Sequence, residues 1–201
     1  MRILVILFTI VFLTSCDQNK KMVATDLTPF QKKMNDDFKD ASKSPLKSKD
    51  LKTFKGLDFF PYDSTLLVKA ELKRTPNTEW FQMKTTTDRL SKERVFGVVT
   101  FEIKGESFQL NVYQGEELMQ QEGFENYLFL PFMDNTNGSL SYGGGRYIDL
   151  DIPEGNTMEI DFNSAYNPYC AYNERFSCPI VPSANYLDLE IKAGVKAFVK
   201  E

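Results

Sequence analysis

The chain has 201 residues, and its 24 Lys and Arg against 28 Asp and Glu give a formal net charge of −4. This mildly acidic balance lacks the basic field that nucleic acids require, so we expect no nucleic-acid partner. The sequence contains no histidine. That excludes Ser-His and Cys-His nucleophile pairs and every histidine-based metal site, and we expect no metal and no other cofactor.

The N-terminus has the pattern of a bacterial lipoprotein signal. Arg2 precedes the apolar run "ILVILFTIVFL", which is too short to span a bilayer as a helix but is typical of a signal-peptide core. The next residues, "LTSC", resemble a lipobox that ends at Cys16. We therefore predict a signal peptide over residues 1–15, a lipidated Cys16, and a flexible tether over 16–27. An ordinary secretory signal followed by a chance cysteine is the alternative.

This signal predicts a location in the cell envelope. The acyl chains (palmitate or similar) on Cys16 would anchor the protein to the inner or outer membrane, facing the periplasm or the cell surface. Once Cys16 is lipidated, Cys170 and Cys178 are the remaining two of the three cysteines. In an oxidising compartment an isolated pair favours a disulfide, and closing so short a loop stabilises a fold by about 2–3 kcal/mol.

The first element of the domain is predicted to be an amphipathic helix. Thr28 is a suitable cap, Pro29 suits the first helical position, and Phe30, Met34 and Phe38 recur every four residues. The helix is expected over residues 29–41. A shorter helical turn is expected over 49–54.

From residue 66 the hydrophobic period changes from four to two, which is typical of half-buried strands. The segment "VFGVVTFEIKGESFQLNVY" predicts a hairpin that turns at Lys104 and Gly105. "RYIDLDI" and "TMEIDFN" are expected to form another pair across residues 153–156. The fold class is thus mainly β, an antiparallel sandwich or partly open barrel with an N-terminal helix. We expect one such domain over residues 28–201.

The segment 142–194, "YGGGRYIDL…IDFNSAYNPYCAYNERFSCPIVPSANYLDLEIKAG", carries a family resemblance. It resembles the signature of a bacterial family catalogued as a domain of unknown function, number sixteen eighty-four. The resemblance rests on the Gly-rich segment with Arg146 and Asp149, on "DFN-x-AYNP-x-CA", and on a second cysteine. It implies kinship and brings no activity, substrate or catalytic residue with it.

Two carboxylates are the candidate catalytic residues. If the two strands that contain them pair, Asp149 and Asp161 lie on one side of the sheet and could act as an acid and base in a hydrolase or transferase. An oxygen-rich calcium site is a second interpretation. A structural pair between Arg146 and a carboxylate is a third.

The favoured functional hypothesis is a binding or assembly domain rather than an enzyme. In this hypothesis the "GGGR" and "AYNPYC" segments form a small polar pocket for an anionic or carbohydrate-like ligand. Arg146 supplies charge, Asn163 and Asn167 orient the ligand, and Tyr166 supplies a packing face. A structural lipoprotein whose partner is another envelope protein is the remaining alternative.

Overall fold

The structure, a computed structural model, describes residues 27–199. The predicted signal peptide, the lipidation at Cys16 and nearly all of the tether lie outside these residues. Within residues 27–199 no helix combines the length and the apolar character needed to cross a membrane.

The predicted amphipathic helix is confirmed as α1, Pro29–Lys39. A reciprocal capping box fixes its start: Gln31 N–H donates to Thr28 Oγ1 at 3.2 Å, and Thr28 N–H donates to Gln31 Oε1 at 3.0 Å. The predicted second helical turn is α2, Ser48–Thr53. A third helix, α3 (Glu116–Met119), has four residues and follows the fourth strand.

The remainder of the domain is mainly β, as predicted, and forms one curled antiparallel half-barrel. Its strand order is β6-β5-β4-β3-β1-β7, with β2 paired to β3 and the short β8 running parallel to β5. The strands are β1 (Leu67–Arg74), β2 (Phe81–Lys84), β3 (Leu90–Ile103), β4 (Glu106–Gly115), β5 (Tyr127–Asp134), β6 (Arg146–Asp151), β7 (Thr157–Asp161) and β8 (Tyr186–Leu187). The predicted hairpin at Lys104 and Gly105 is the β3–β4 pair, in which Ile103 faces Glu106.

The prediction that the sixth and seventh strands pair is wrong. β6 forms its ladder with β5, and β7 forms its ladder with β1, so they are the two ends of the strand path. Only residues 152–156 connect them. Because that connection is short, the two ends of the sheet must approach each other, which is what curls the sheet into a half-barrel.

The two faces of the sheet have different neighbours. The main core lies on one face and includes Leu128, Leu130 and Phe132 of β5, all essentially unexposed. Each such side chain contributes about 1.5–3 kcal/mol through burial of apolar surface. Because side chains alternate along a strand, Tyr127 and Phe129 of β5 point the other way, toward what we call the outer face. That outer face positions the candidate site.

Candidate functional site

The segment of residues 165–180, which we call the strap, crosses the outer face of the sheet. At its first end it extends the sheet beyond β6, because Tyr147 and Tyr166 exchange backbone N–H···O hydrogen bonds of 2.9 Å. At its other end it is bound beside β2: Thr86 N–H donates to Cys178 O and Ile180 N–H donates to Lys84 O, both at 2.9 Å. The "AYNPYC" segment is therefore a structural loop with both ends tied to the sheet.

The strap also separates two cavities. Tyr147, whose hydroxyl donates to Pro179 O under the strap, lines both of them together with Tyr166 and Pro179. On one side, the helix-side cavity has a volume of about 410 Å³ and is bounded by α1. On the other, the sheet-side cavity has a volume of about 300 Å³ and is bounded by β3, β5 and α3.

Asp149 is the central polar group of the helix-side cavity. Its Oδ1 accepts hydrogen bonds from Tyr127 Oη at 2.8 Å and from Tyr166 Oη at 2.5 Å. Burial, with the neighbouring Asp149 charge as a further cause, raises the pKa of Tyr127 well above its usual value. Burial likewise raises the pKa of Tyr166. Both phenols therefore remain neutral donors, and the other oxygen, Oδ2, has no protein donor among the hydrogen bonds of the described residues.

The remaining walls of the helix-side cavity are largely aromatic. Tyr169 and Phe176 of the strap stack edge-to-face with ring centroids 5.2 Å apart. From α1, Lys33 and Asp37 reach the rim and form an exposed 2.9 Å ion pair with each other. The cavity thus combines ring faces, an acceptor carboxylate and a charge-balanced rim.

The sheet-side cavity contains a second carboxylate, that of Glu93 in β3. This side chain is 4% exposed, its Oε1 accepts from Ser91 Oγ at 2.6 Å, and its Oε2 has no partner. Glu93 lies directly across from Gly115 in β4. A Cβ on Gly115 would lie 3.0 Å from Glu93 Oε2, so the glycine leaves room for the carboxylate above the sheet. Burial raises the pKa of Glu93.

Arg146 does not lie in either cavity, which corrects the prediction that it binds a ligand. It is completely buried, and its Nη2 forms a 2.6 Å ion pair with the equally buried Asp134. Its guanidinium also donates to the backbone carbonyls of Ile191, at 2.8 Å, and Ala193. Arg146 points to the core face along with Ile148, and it joins β5 and β6 to the C-terminal segment.

Asn163 and Asn167 are also structural, contrary to the prediction that they orient a ligand. Asn163 is buried and pairs with the backbone of Asp63 through two 2.9 Å hydrogen bonds, one donated and one accepted. Asn167 is buried and its Nδ2 donates to Lys196 O at 2.9 Å. Of the four predicted ligand-binding residues, Tyr166 lines these two cavities and the other three line neither of them.

The structure does not join Asp149 and Asp161 into one site. The two carboxylates would share one side of a strand pair only if β6 and β7 paired, and these strands do not pair. Asp161 is at the end of β7 and caps the following turn, with Oδ1 accepting from Asn163 N–H at 2.9 Å. Asp149 faces the helix-side cavity and Asp161 does not line it. The described residues also contain no cluster of three or more Cys, Asp or Glu suited to a metal ion.

The predicted disulfide is not formed in the structure: Cys170 and Cys178 are free thiols. They are nevertheless neighbours, since Cys170 N–H donates to Cys178 Sγ at 3.2 Å. A hydrogen bond from the Cys178 thiol lowers the pKa of Cys170 to about 6. The same interaction, with burial, raises the pKa of Cys178. Cys170 is therefore the more acidic of the two neighbouring thiols.

Sequence reasoning missed Glu93, Tyr127 and Tyr147 as residues of the two cavities. One signal for Tyr127 and Tyr147 was alternation, because each has the opposite parity to the apolar core residues of its strand. Glu93 had no such signal, since a charged residue before an apolar strand normally indicates an exposed strand end. Its burial depends on Gly115, which becomes its neighbour only through strand pairing.

Comparisons with known proteins agree with the predicted kinship. No curated protein matches the chain. Among solved structures, it is similar to the uncharacterized protein from gene locus rrnAC0354 of Haloarcula marismortui, determined in solution by NMR, with 32% sequence identity and a TM-score of 0.66. That match covers 83% of this chain and 89% of the other. Residues 52–196 match the family described as Protein of unknown function (DUF1684). The chain therefore belongs to the DUF1684 family, as its "GGGR" and "AYNPYC" segments predicted.

Proposed function

We propose that this protein is a lipid-anchored envelope protein whose helix-side cavity binds a small, uncharged, carbohydrate-like ligand. The observation that carries the ligand proposal is the arrangement around Asp149. The Asp149 carboxylate lines an aromatic-walled cavity, one of its oxygens accepts from two tyrosine hydroxyls, and its second oxygen has no protein donor among the hydrogen bonds of the described residues. Such a group accepts hydrogen bonds from hydroxyls, while ring faces pack against the apolar side of a sugar.

The charge around the cavity favours a neutral ligand over an anionic one. An anionic ligand was expected because of Arg146, but the Arg146 side chain is completely buried in the core, where it forms an ion pair with Asp134. The cation that does reach the cavity, Lys33, is paired with Asp37 at 2.9 Å. An anion would therefore meet the Asp149 carboxylate without a free cation to offset the repulsion.

The cavity volume also fits this class of ligand. Small-molecule sites in proteins occupy about 300–1,000 Å³ and combine mostly apolar walls with a few fixed polar groups. The helix-side cavity, at about 410 Å³, falls at the lower end of this range. A mono- or disaccharide is the corresponding ligand size.

The ligand proposal is tested by thermal melts of the full chain, purified in detergent, against glucose, N-acetylglucosamine, maltose and lactose. A sugar present at about 100 times its Kd stabilises the native state by about 2.7 kcal/mol, which raises the Tm of a domain of this size by about 5–10 °C. Asp149→Asn is expected to abolish that shift while its own Tm stays close to the parent's. Asp151→Asn is the matched control, because Asp151 is an exposed aspartate of the same strand that does not line the cavity. No shift with any sugar, or a shift that survives in Asp149→Asn, contradicts the proposal.

The anchor is proposed from the sequence of residues 1–16, and it is tested separately. Cells that express the full chain are grown with radiolabelled palmitate, and label is expected on the parent protein and on Cys170→Ser. Cys16→Ser is expected to carry none and to leave the membrane fraction. Label that persists in Cys16→Ser contradicts the anchor and leaves the ligand proposal unaffected.

A further inference from the structure

The sheet-side cavity contains a buried acid without a cationic partner. Three cationic residues adjoin Glu93 in sequence, and each binds another group: Arg89 donates to Ser177, Lys92 to Glu116, and Arg94 to Gln114. Within residues 27–199 no Lys or Arg lies at ion-pair distance from the Glu93 carboxylate. An ionised, buried carboxylate without a cation nearby destabilises the folded state. A ligand that brings a positive charge next to Glu93 offsets this destabilisation.

Glu93, whose Oε2 has no hydrogen-bond partner, lines the cavity as a buried carboxylate. Its other oxygen is held by Ser91, so the carboxylate orientation is fixed. Because Gly115 has no side chain, the Glu93 carboxylate can lie over β4 at the cavity wall, where a Cβ on Gly115 would come within 3.0 Å of Oε2. Glu93 thus forms the floor at one end of a cavity whose opposite wall is aromatic.

That opposite wall consists of aromatic residues. Tyr127, Phe129, Tyr147 and Tyr166 line the cavity, and the Phe129 and Tyr147 rings meet edge-to-face with centroids 5.8 Å apart. Aromatic faces attract ammonium groups through the ring quadrupole, and the attraction grows when the site is desolvated. The charged residues at the rim are Glu117 and Arg89, so the lining has two carboxylates against one guanidinium.

We propose that the sheet-side cavity binds the ammonium group of a small organic cation, with Glu93 as its counter-ion. Glu93 Oε2 meets the positive charge, and the rings of Tyr127, Phe129 and Tyr147 enclose the attached methyl or methylene groups. The proposal concerns a different cavity from the carbohydrate-like ligand and does not depend on that ligand.

The role of Glu93 as counter-ion predicts the direction in which the affinity for the cation changes with pH. Burial raises the pKa of Glu93, with Glu117 as a further raising influence and with Ser91 and Arg89 opposing it. The tyrosines that face it stay neutral, since burial raises the pKa of each well above its usual value. An ammonium ligand favours ionised Glu93, so binding tightens as pH rises through the pKa of Glu93. Below that pKa, binding releases a proton.

The test uses isothermal titration calorimetry of the full chain in detergent with choline and with 3,3-dimethyl-1-butanol, its uncharged isostere. Choline is expected to bind more tightly than the isostere by roughly tenfold or more. Titration of choline in two buffers of different ionisation enthalpy is expected to show proton release at acidic pH that fades as the pH is raised.

Two variants assign the effect to Glu93. Glu93→Gln keeps the shape of the side chain and is expected to lose both the preference for choline and the proton release. Gly115→Ala changes no charge, and it is tolerated by the backbone because residue 115 has an extended conformation. It places a methyl group against the Glu93 carboxylate. It is expected to weaken choline at least about tenfold. Glu122→Gln, an exposed glutamate outside the cavity, is expected to bind as the parent does.

Three results would overturn the proposal. One is equal affinity for choline and its isostere. Another is choline affinity that falls as pH rises, which would assign a hydrogen-bond donor role to Glu93. The third is no binding of choline, ethanolamine or methylammonium at concentrations up to tens of millimolar.

Discussion

Replacement of Arg146 by methionine is expected to destabilise the fold strongly without acting on either cavity. The substitution removes the 2.6 Å ion pair with Asp134 and the donors to the carbonyls of Ile191 and Ala193. Asp134 keeps its bonds from Thr136 N–H and Ile191 N–H but is left as a buried, uncompensated charge. Removal of one partner of a buried ion pair costs about 3–5 kcal/mol.

That loss is large relative to the whole stability of a domain, which is about 5–15 kcal/mol. For a domain of this size it corresponds to a fall in Tm of about 6–20 °C, measurable by circular dichroism or differential scanning calorimetry. Arg74→Met is the matched control, because Arg74 is exposed, donates to two loop carbonyls and has no ion-pair partner among the described residues. Its cost is expected to stay below about 1 kcal/mol.

A double variant tests the physical reason as well as the magnitude. In the double variant Arg146→Met with Asp134→Asn, the uncompensated buried carboxylate is gone, and the side-chain oxygen at position 134 can still accept from the Thr136 and Ile191 N–H groups. The double variant is therefore expected to recover part of the stability that Arg146→Met loses. If Arg146→Met melts within about 2 °C of the parent, the guanidinium does not act as a structural clamp.

Three further changes test the surroundings of the strap and the cavities. Glu93→Gln is expected to raise the Tm at pH 8, because the parent must then keep an ionised carboxylate buried. The gain in Tm should vanish near pH 4, where the carboxyl group of the parent is protonated. A gain that does not depend on pH contradicts this. Iodoacetamide is expected to alkylate Cys170 before Cys178, with a rate that falls below about pH 6; equal rates for both thiols, read by mass spectrometry, contradict this. Gly194→Ala is expected to cost more than about 2 kcal/mol in a denaturant melt, since φ is +73° and a Cβ would lie 2.3 Å from a backbone carbonyl oxygen. Gly123→Ala, with φ +85° and open space, should cost only about 1 kcal/mol, and equal losses for the two variants contradict the packing argument.

Local patterns of the sequence predicted the elements well. The Thr28–Pro29 cap and the four-residue spacing located α1, and alternation located the strands. The pairing of β6 and β7 was mispredicted because a short connection normally indicates a hairpin. Here the two strands belong to opposite ends of a sheet that curls, and that property depends on all the other strands.

The candidate site could be predicted only in part, because it too depends on contacts between residues that are distant in the sequence. Strand alternation already placed Arg146 on the same face as Ile148, and this face turns toward the core. The burial of Arg146 was still not predicted, because an arginine is rarely buried without a partner. That partner, Asp134, comes from the neighbouring strand at the edge of a turn. Asp149 and Tyr166 were identified as candidates, and they do meet at a cavity. The cavity itself is created by the strap crossing the sheet, which no local pattern specifies.

The claim that the strap encloses a ligand site is tested most directly by mapping where a bound sugar acts. Backbone amide shifts of the isotope-labelled full chain in detergent are recorded as N-acetylglucosamine or the best-shifting sugar is added. Perturbations are expected to concentrate at Asp149, Tyr166 and Phe176 and to disappear in Asp149→Asn. Perturbations around Arg146 and Asn163 instead, or none at saturating sugar, would contradict it.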